Sequence, residues 1–555
     1  MQRLKLTPIR GQTKPFPLAD GAISIGRGPE NTIPLIDERA SRQHCLIERT
    51  GLGDWVVKDL ASRNGTKVND ERITERTLRA GDVIRVGSHE FLVETDRPLH
   101  DAIRQSLDIN ASLTPDAASV INTSLTASAE VGWMFNLTEL IESLPPKGPG
   151  ESLRIVDANG NPTEVLDGTS DGPNALRLFL QLASRARATD IHFEPKGEAC
   201  NVRMRIDGDM VPIIELNKRV GELVFGVIKA ACHMHVAGRD AVQDGHFSSV
   251  FSERKVEYRV SFTPSMFGQK LVVRVLDQKG SPGSLSDLGM AHYMLDRIKQ
   301  VCSQDSGLLL SVGPTGSGKT TTLYNALREI DRQTSNVVTI EDPVEYQLDN
   351  TTQIPIDEAK GNTFGTLLRS VLRQDPDVIL VGEIRDEETA RVAMQAALTG
   401  HLVFSSVHAK ESISAVFRLL DLKIEPFLVA NALNLVLAQR LVRILCEHCK
   451  RDVPVAPGQA TRLGRFLGNK TRIYTATGCG RCLRTGFRGR RAIFELLDVN
   501  DELRDIILTS PSITAMKKVI EGGLFTTLQQ SGWKLVAEGV TALEEVDRVA
   551  GIGSS

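Results

Sequence analysis

The stretch that most constrains this chain is GPTGSGKT at residues 313–320. It predicts a glycine-rich loop whose backbone N–H groups wrap phosphate oxygens, with Lys319 reaching the β- and γ-phosphates and the Thr320 hydroxyl on Mg²⁺. Such a loop needs a strand before it and a helix after it, and the apolar run 308–312 and the helical composition of 320–332 supply both. An ordinary glycine turn is the alternative, and the complete eight-residue pattern argues against it. The predicted phosphate-binding residues are Gly313, Pro314, Thr315, Gly316, Ser317, Gly318, Lys319, Thr320 and Thr321.

Acidic side chains follow two further apolar runs, each of which predicts a buried strand. The run 377–381 is followed by Glu383, which a strand adjacent to the glycine-rich loop would deliver to the metal side of the site. The run 337–340 ends in Glu341, Asp342 and Glu345. Carboxylates at the carboxyl end of a strand can orient an attacking water, whereas a solvated strand end is the alternative interpretation.

In this order, the motifs resemble the secretion ATPases of type II secretion and type IV pilus assembly, over roughly residues 170–555. Residues 339–346 are similar to the aspartate box of that family, 375–386 to its second nucleotide motif and 399–409 to its histidine box. The resemblance implies a RecA-like α/β P-loop ATPase domain preceded by an α/β regulatory domain. It also implies that Glu383 lies on the Mg²⁺ side of the nucleotide.

The resemblance implies roles for the remaining polar residues. Glu345 would be the catalytic glutamate that polarises water, supported by Glu341 and Asp342, while His401 and His408 would sense the γ-phosphate. A lone histidine more often lies in the core or at the surface with its hydrogen bonds satisfied and has no role at a ligand. The seven-residue spacing of this pair favours the family role. The segment SSVHAKES departs from the family, which usually has threonine after the second histidine.

Three upstream segments resemble the domain that precedes the motor core in that family: TDIHFEP at 189–195, VRMRIDG at 202–208 and the run from 256 to 277. That domain supplies arginines to the nucleotide, and Arg259 and Arg274 match its arginine-finger positions. A planar guanidinium can neutralise charge on a transferred phosphoryl group. The alternating pattern of both segments also fits outward residues of half-buried strands, which is the preferred interpretation for Arg205.

The cysteines give an independent signal. Two Cys-x-x-Cys pairs can close a tetrahedral Zn²⁺ site without a further ligand, so such a site would be structural. These residues are Cys446, Cys449, Cys479 and Cys482. A disulfide or redox role is less favoured, because the other four cysteines are scattered and no export signal is apparent. Within the resembled family, this insert is typical of secretion and pilus-extension members.

Residues 1–98 belong to a different module. Short alternating runs separated by glycine and asparagine turns predict a small β-sandwich. The segments GAISIGRG, SRQH, SRNGTKVN and LRAGDVIRVG resemble a forkhead-associated (FHA) domain, a family that binds phosphothreonine peptides. The resemblance implies that the phosphopeptide is bound by Arg27, Ser41, Arg42 and Asn64. Arginine can chelate phosphate bidentately, which suits the position of Arg27.

Composition limits the remaining possibilities. A chain of 555 residues allows three or four domains, and 41% hydrophobic residues suffice for globular cores. A net charge of −3 gives no argument for nucleic acid. The most apolar long segment, 427–445, is interrupted by polar residues, so it predicts a core helix rather than a membrane span.

The predicted domains are 1–98, the FHA module, then a linker at 99–150, a regulatory domain at 151–283 and the ATPase domain at 284–555. The last includes a zinc insert at 443–492 and C-terminal helices at 493–555. The linker is rich in Ala, Ser and Thr, and its threonines, including Thr114, Thr123 and Thr126, are candidate phosphorylation sites. Residues 133–144 predict one amphipathic helix that ends before two prolines.

Together these patterns predict a cytoplasmic, Mg²⁺-dependent ATPase with ATP and Zn²⁺ as ligands. The resemblance implies a hexamer that drives an inner-membrane platform protein, with the FHA module reading a phosphothreonine-containing protein. A phosphopeptide-binding scaffold with a weakly active ring is one alternative, against which Lys319, Glu345 and Glu383 argue. A motor of DNA uptake or conjugation is another, but five tyrosines and three tryptophans form no basic, aromatic-lined segment.

Overall fold

The computed structural model describes residues 4–10, 16–17, 22–50, 55–69, 71–78, 82–95, 132–146, 153–162, 166, 168, 170–238, 240–251, 254–277 and 282–551. The chain divides into two compact units, Met1–Thr123 and Ser124–Ser555. Residues 99–131 of the predicted linker, with Thr114, Thr123 and Thr126, lie outside the described residues. No helix among the described residues combines the length and apolarity that crossing a bilayer requires.

The first unit is built from short strands. They are β1 (Leu4–Arg10), β2 (Phe16–Pro17), β3 (Ile23–Gly26), β4 (Ile33–Pro34), β5 (Cys45–Arg49), β6 (Trp55–Asp59), β7 (Thr66–Val68), β8 (Glu71–Ile73), β9 (Glu75–Thr77), β10 (Val83–Val86) and β11 (His89–Thr95). One sheet has the order β2-β1-β11-β10-β7-β8 and the other β4-β3-β5-β6-β9. Alternate side chains such as Ile25, Ile47 and Ile84 are fully buried and form one core. The predicted β-sandwich is confirmed.

The second unit begins with an N-terminal subdomain. Its elements are α1 (Gly132–Ser143), β12 (Leu153–Val156), α2 (Asp171–Ala186), β13 (Ala188–Lys196), β14 (Ala199–Ile206), β15 (Asp209–Asn217), α3 (Lys218–Ala231), β16 (Gln243–Phe251), β17 (Arg254–Ser265) and β18 (Gly268–Leu276). The sheet has the order β12-β16-β17-β18-β13-β14-β15. Trp133, Leu137 and Ile141 recur every four residues and are buried, which confirms the predicted amphipathic helix.

The remainder of the second unit is the C-terminal subdomain. Its strands are β19 (Gly307–Val312), β20 (Val337–Glu341), β21 (Thr352–Pro355), β22 (Val378–Val381), β23 (Leu402–Val407), β24 (Leu433–Leu445), β25 (Arg451–Pro454), β26 (Arg472–Thr475) and β27 (Phe487–Asp498). The main sheet has the order β21-β20-β22-β23-β19-β24-β27, and only β27 is antiparallel to its neighbour. The strands β19, β22 and β23 are buried along their whole length, as expected for a parallel sheet covered by helices on both faces.

Helices cover this sheet and form the end of the chain. They are α4 (His292–Cys302), α5 (Lys319–Arg328), α6 (Phe364–Val371), α7 (Glu387–Leu398), α8 (Ser412–Asp421), α9 (Pro426–Ala432), α10 (Pro457–Leu463), α11 (Asp501–Thr509), α12 (Ile513–Glu521), α13 (Leu528–Ala537) and α14 (Leu543–Ala550). Short 3₁₀ turns span Ser286–Leu288, Glu358–Lys360, Gly464–Phe466 and Gly480–Cys482.

Two sequence-based expectations about this sheet are wrong. The segment 427–445 is not one core helix, because α9 ends at Ala432 and β24 continues as a 13-residue strand between β19 and β27. A run of buried apolar residues suits a central parallel strand as well as a buried helix, so period alone does not separate them. The strand β22 was also expected to lie next to the strand that leads into the glycine-rich loop. That strand is β19, and β23 lies between it and β22.

The two subdomains have separate apolar cores. The fully buried members of the N-terminal core all come from residues 133–273, and those of the main C-terminal clusters come from residues 285–535. Polar contacts join them: the Gly489 N–H donates to Asp207 Oδ2 at 2.7 Å, and Arg443 of β24 forms an ion pair with Asp209 of β15. The seam between the subdomains therefore includes hydrogen bonds and charges, together with an apolar contact in which Leu483 packs against the N-terminal core.

Candidate active site

The glycine-rich loop connects β19 to α5. A Cβ on Gly313 would lie 2.7 Å from the carbonyl oxygen of Gln439 and still closer to Ser317 Oγ, so any side chain there would displace the loop. Gly318 has a φ of +90°, in the left-handed region that favours glycine. The helix α5 then starts at Lys319 and directs its free N–H groups toward the loop. The predicted strand, loop and helix together form an anion-binding cradle.

Lys319 closes the base of this cradle. Its ammonium donates to the carbonyl oxygens of Gly313 at 2.9 Å and Pro314 at 3.2 Å. Burial lowers the pKa of Lys319, while the charge of Glu383 opposes that change. Thr320 is exposed at the start of α5, on the open side of the loop. Lys319 and Thr320 thus lie side by side where the loop meets α5.

Glu383 is the centre of a charged cluster at the carboxyl edge of the sheet. It follows β22, and its side chain is only 15% exposed. His408, which follows β23, places Nε2 3.4 Å from Glu383 Oε2. Arg385 forms an ion pair with Glu383 and lies 3.8 Å from Asp342. Parallel strands end at one edge, so residues far apart in sequence meet beside the glycine-rich loop.

His401 lies apart from His408 within the chain. His401 precedes β23, and its carbonyl accepts a hydrogen bond from the Gly307 N–H at 3.2 Å, at the start of β19. Its Nδ1 lies 3.1 Å from the Ala396 carbonyl oxygen. Six extended residues separate it from His408, which is roughly 20 Å. Because these two histidines flank a six-residue strand, they lie at opposite edges of the sheet.

The acidic residues predicted at the end of β20 differ in how far they are buried. Glu341 is 4% exposed and accepts hydrogen bonds from Tyr324, from Thr339 Oγ1 at 2.5 Å and from Gln353 Nε2 at 3.2 Å. Asp342 is exposed, and Glu345 is half-buried in the following loop. Residues 342–348 are called the acidic loop below. Glu341 is thus enclosed by protein donors, whereas Glu345 is available to a ligand.

The two predicted arginine fingers occupy neighbouring strands. Arg259 on β17 and Arg274 on β18 are direct cross-strand partners and so share one face of the N-terminal sheet. Arg259 Nη2 donates to the carbonyl oxygen of Val344 in the acidic loop at 2.8 Å. Arg274 is 62% exposed and lies 3.3 Å from Asp190. Of these two arginines, Arg259 is the one with a hydrogen bond to the acidic loop within the described residues of the chain.

Gln439 and Arg440 are site residues that the sequence interpretation missed. Gln439 Nε2 donates to the Ser317 carbonyl oxygen at 2.7 Å, inside the glycine-rich loop. Arg440 donates to the Lys410 carbonyl oxygen at 2.5 Å, and burial lowers its pKa. Because β24 runs parallel to β19 with Ala438 beside Val312, the next residues lie level with the loop. The sequence signal was two polar residues within an apolar run; they lie in the middle of β24, level with the carboxyl end of the neighbouring β19.

The four predicted zinc ligands converge. Sulfur atoms lie 3.9 Å apart for Cys446 and Cys479, 3.8 Å for Cys449 and Cys482, and 3.7 Å for Cys479 and Cys482. A tetrahedral ion with metal–sulfur bonds of about 2.3 Å separates its sulfurs by about 3.8 Å. Burial, and then the charge of Cys482, raises the pKa of Cys479 to about 12, so four thiolates here require a cation. The donor set fits Zn²⁺.

In the first unit, the predicted phosphopeptide residues lie on adjoining loops. The Arg27 N–H donates to the Ser41 carbonyl oxygen at 2.9 Å, and the side chains of Arg27 and Arg42 are exposed. Ser41 Oγ accepts from the Arg63 N–H at 3.0 Å, and Asn64 Nδ2 donates to the Arg39 carbonyl oxygen at 2.7 Å. These contacts hold the three loops beside one another. The guanidinium groups of Arg27 and Arg42 are exposed there and are suited to bind an anion.

Asp37 stabilises these loops, and its titration predicts a pH effect. Although burial acts to raise it, hydrogen bonds from Ser88 and the Arg39 N–H lower the pKa of Asp37 from 3.8 to about 2. The folded state therefore binds fewer protons, so Asp37 stabilises it fully above pH 3.8 and loses this effect as the pH falls toward 2. In chemical denaturation of a fragment of residues 1–123, Asp37→Asn is expected to reduce the free energy of unfolding at pH 7. The deficit should shrink between pH 4 and pH 2, and a deficit independent of pH would contradict this assignment.

Comparisons with known proteins agree with this geometry. The family model described as "Type II/IV secretion system protein" matches residues 172–548, and the FHA domain model matches residues 23–87. A type II secretion system protein E of Pectobacterium carotovorum subsp. carotovorum is 39% identical over 397 residues, 71% of this chain and 79% of that protein.

Two further relatives extend the comparison. A type IV pilus assembly ATPase PilB of Thermus thermophilus is 41% identical over 370 residues, 66% of this chain and 41% of that protein. The X-ray structure of the Legionella pneumophila ATPase DotB shares the fold, with a TM-score of 0.52 and 19% identity over 68% of this chain and 96% of that one. The chain therefore belongs to the type II/IV secretion system protein family and is a P-loop ATPase that carries an N-terminal FHA domain.

Proposed function

We propose that this chain is a Mg²⁺-dependent motor that powers type II protein secretion or type IV pilus assembly. The observation that carries the proposal is the convergence of Lys319, Glu383 and His408 at one edge of the sheet. They lie beside a loop in which Gly313 has no room for a side chain and Gly318 adopts a left-handed backbone conformation. The acidic loop with Glu345 lies next to the same edge. Relatives named for type II secretion and for pilus assembly match the same part of the chain, which supports both outputs.

The chemistry proposed is hydrolysis of the γ-phosphate of ATP. Loop N–H groups and Lys319 bind the phosphates, and Glu345 takes a proton from the attacking water as the bond between the γ-phosphorus and its bridging oxygen breaks. Arg259 and Arg274 are placed to neutralise charge on the transferred group. When bound, Mg²⁺ would be held by Thr320 and Glu383 and would neutralise phosphate oxygens.

Zn²⁺ at the four cysteines is proposed as a structural ion of the insert, since all four ligand positions are protein thiolates. We assign residues 151–283 to a regulatory domain and 284–555 to the ATPase domain, with the insert at 443–492. A homo-hexamer, as in the resembled motors, would act on an inner-membrane platform protein from the cytoplasmic side. The FHA domain would recruit or regulate the motor through a phosphothreonine partner bound at Arg27, Ser41, Arg42 and Asn64.

The first test is ATP hydrolysis by the purified full chain across concentrations that span assembly. Phosphate release is expected to require Mg²⁺, to rise with assembly and to vanish in Lys319→Ala, because the loop loses the ammonium group at its base. If the assembled, zinc-replete wild type released no more phosphate than Lys319→Ala, the motor proposal would be wrong. The scaffold interpretation would then take its place.

The same preparation tests the FHA proposal. A phosphothreonine peptide should bind the wild type and fail to bind Arg27→Ala, because a bidentate charge-assisted contact is lost. The unphosphorylated peptide and an Arg42→Lys variant serve as controls for charge and loop structure. Equal binding of phosphorylated and unphosphorylated peptide would rule out phosphothreonine recognition while leaving the ATPase result intact.

A further inference from the structure

A buried polar network lies behind the glycine-rich loop. Tyr324 is on α5, five residues after Lys319, and its hydroxyl donates to Glu341 Oε2. The other carboxylate oxygen accepts from Thr339 Oγ1 at 2.5 Å. Burial, and then the hydrogen bond to Glu341, raises the pKa of Tyr324, so the phenol keeps its proton and donates to Glu341. The network thus ties the helix of the phosphate cradle to β20.

The same network holds the end of the acidic loop. Gln353 on β21 donates through Nε2 to Glu341 at 3.2 Å and to the Tyr346 carbonyl oxygen at 3.1 Å. Its Oε1 accepts from the Leu348 N–H at 2.7 Å. The rings of Tyr346 and Tyr324 meet edge to face, with centroids 4.6 Å apart and an interplanar angle of 82°. Both side chain and backbone of the loop are therefore fixed against Tyr324 and Gln353.

The middle of the acidic loop is held from two sides. Arg259 of the N-terminal subdomain binds the Val344 carbonyl oxygen at 2.8 Å. The residue after Glu345 is Tyr346, whose ring packs edge to face on Tyr324 and whose carbonyl oxygen accepts from Gln353 Nε2. Glu345 thus lies between one attachment to the N-terminal subdomain and one to the helix that starts at Lys319.

We propose that Tyr324 is a positioning residue for ATP hydrolysis, which holds the acidic loop so that Glu345 faces the phosphates bound by the helix of Lys319. Glu341 is the buried anchor of this arrangement and does not touch the nucleotide. The inference rests on the proposed role of Glu345 as the group that polarises water. A displacement of about 1 Å at such a group can cost about 10²-fold in rate, so a single hydroxyl far from the chemistry can matter.

The test is Tyr324→Phe in the full chain. The substitution keeps the ring packing on Tyr346 and removes only the hydroxyl. We expect kcat to fall about 10- to 100-fold while KM for ATP stays within about threefold, because the glycine-rich loop and Lys319 are unchanged. Gln353→Met, which releases the loop from its other attachment, should give the same division between kcat and KM. Circular dichroism and thermal unfolding establish that both variants are folded.

Tyr258→Phe is the matched control. Tyr258 is fully buried, and its hydroxyl lies 2.8 Å from Ser249 Oγ, so the control also loses one buried hydrogen bond. It points into the N-terminal core, opposite to the face that carries Arg259. Its kcat should stay within about twofold of the wild type. This separates a positioning role from a general loss of stability.

A double variant decides whether Tyr324 acts through Glu345. If it does, Tyr324→Phe combined with Glu345→Gln should be no slower than Glu345→Gln alone, within about twofold, under single-turnover conditions. Multiplied defects, a wild-type kcat in Tyr324→Phe, or a KM that rises as much as kcat falls would each overturn the inference. A fully active Glu345→Gln would instead overturn the proposed role of Glu345, and the inference with it. The two failures are therefore distinguishable.

Discussion

Glu345→Gln is expected to bind ATP with near-normal affinity and to hydrolyse it roughly 10²- to 10⁴-fold more slowly. The amide has the size of the carboxylate but does not accept a proton from water. The backbone of the acidic loop should stay in place, because its attachments to Arg259 and Gln353 involve the carbonyl oxygens of Val344 and Tyr346. Single-turnover phosphate release and binding of a fluorescent ATP analogue measure the two quantities separately.

Glu198→Gln is the matched control, since Glu198 is 92% exposed in the turn between β13 and β14. It makes the same change of charge far from the glycine-rich loop and should hydrolyse ATP at the wild-type rate. If Glu345→Gln also kept a rate within twofold of the wild type, another group would have to activate the water. Glu383→Gln would then be the next variant to assay.

Cys479→Ser is expected to abolish stoichiometric zinc binding and to unfold the insert around β25 and β26. A structural Zn²⁺ contributes about 10–16 kcal/mol of binding free energy, and that energy is available only to the folded site. Apart from the ion, the insert packs through one small apolar cluster, in which Leu463, Leu467 and Ile473 are buried against side chains from α13 and α14 and Val453, Val455 and Ala460 are partly buried. Metal analysis should find one zinc per wild-type chain, and hydrogen exchange should show lost protection over residues 446–486 in the variant.

Cys200→Ser provides the control for this experiment. Cys200 is buried in the N-terminal subdomain, away from the tetracysteine cluster, so zinc content should be unchanged. Stoichiometric zinc retained by Cys479→Ser would show that the ion is held elsewhere. Wild-type protein that stays folded and metal-free after refolding with excess zinc would contradict a structural zinc site altogether.

Local patterns predicted the parts of the fold that depend on neighbours in sequence. The glycine-rich loop, the runs before Glu341 and Glu383, and the helix that contains Trp133 follow from spacing within about a dozen residues. The segment 427–445 was mistaken because full burial removes the alternation that distinguishes a strand. The order of strands, with β23 between β19 and β22, depends on crossovers that no local pattern records.

The candidate site shows the same division. Sequence motifs identified Glu341 as a carboxylate near the nucleotide, but its burial depends on donors from three separate elements, on α5, β20 and β21. The motifs also paired His401 with His408, although a strand of six residues places them at opposite edges of the sheet. The residue types indicated the chemistry of the site. Only the tertiary structure shows which of these residues a ligand can reach.

The separate cores of the two subdomains have a mechanical consequence. Because each body buries its own apolar residues, they can turn against each other without exposing either interior to water. The contacts along the seam include hydrogen bonds, each worth about 0.5–1.5 kcal/mol, the ion pair between Arg443 and Asp209, and the packing of Leu483 on the N-terminal core. A change in the angle between the two bodies would disturb these contacts and leave the interior of each body intact.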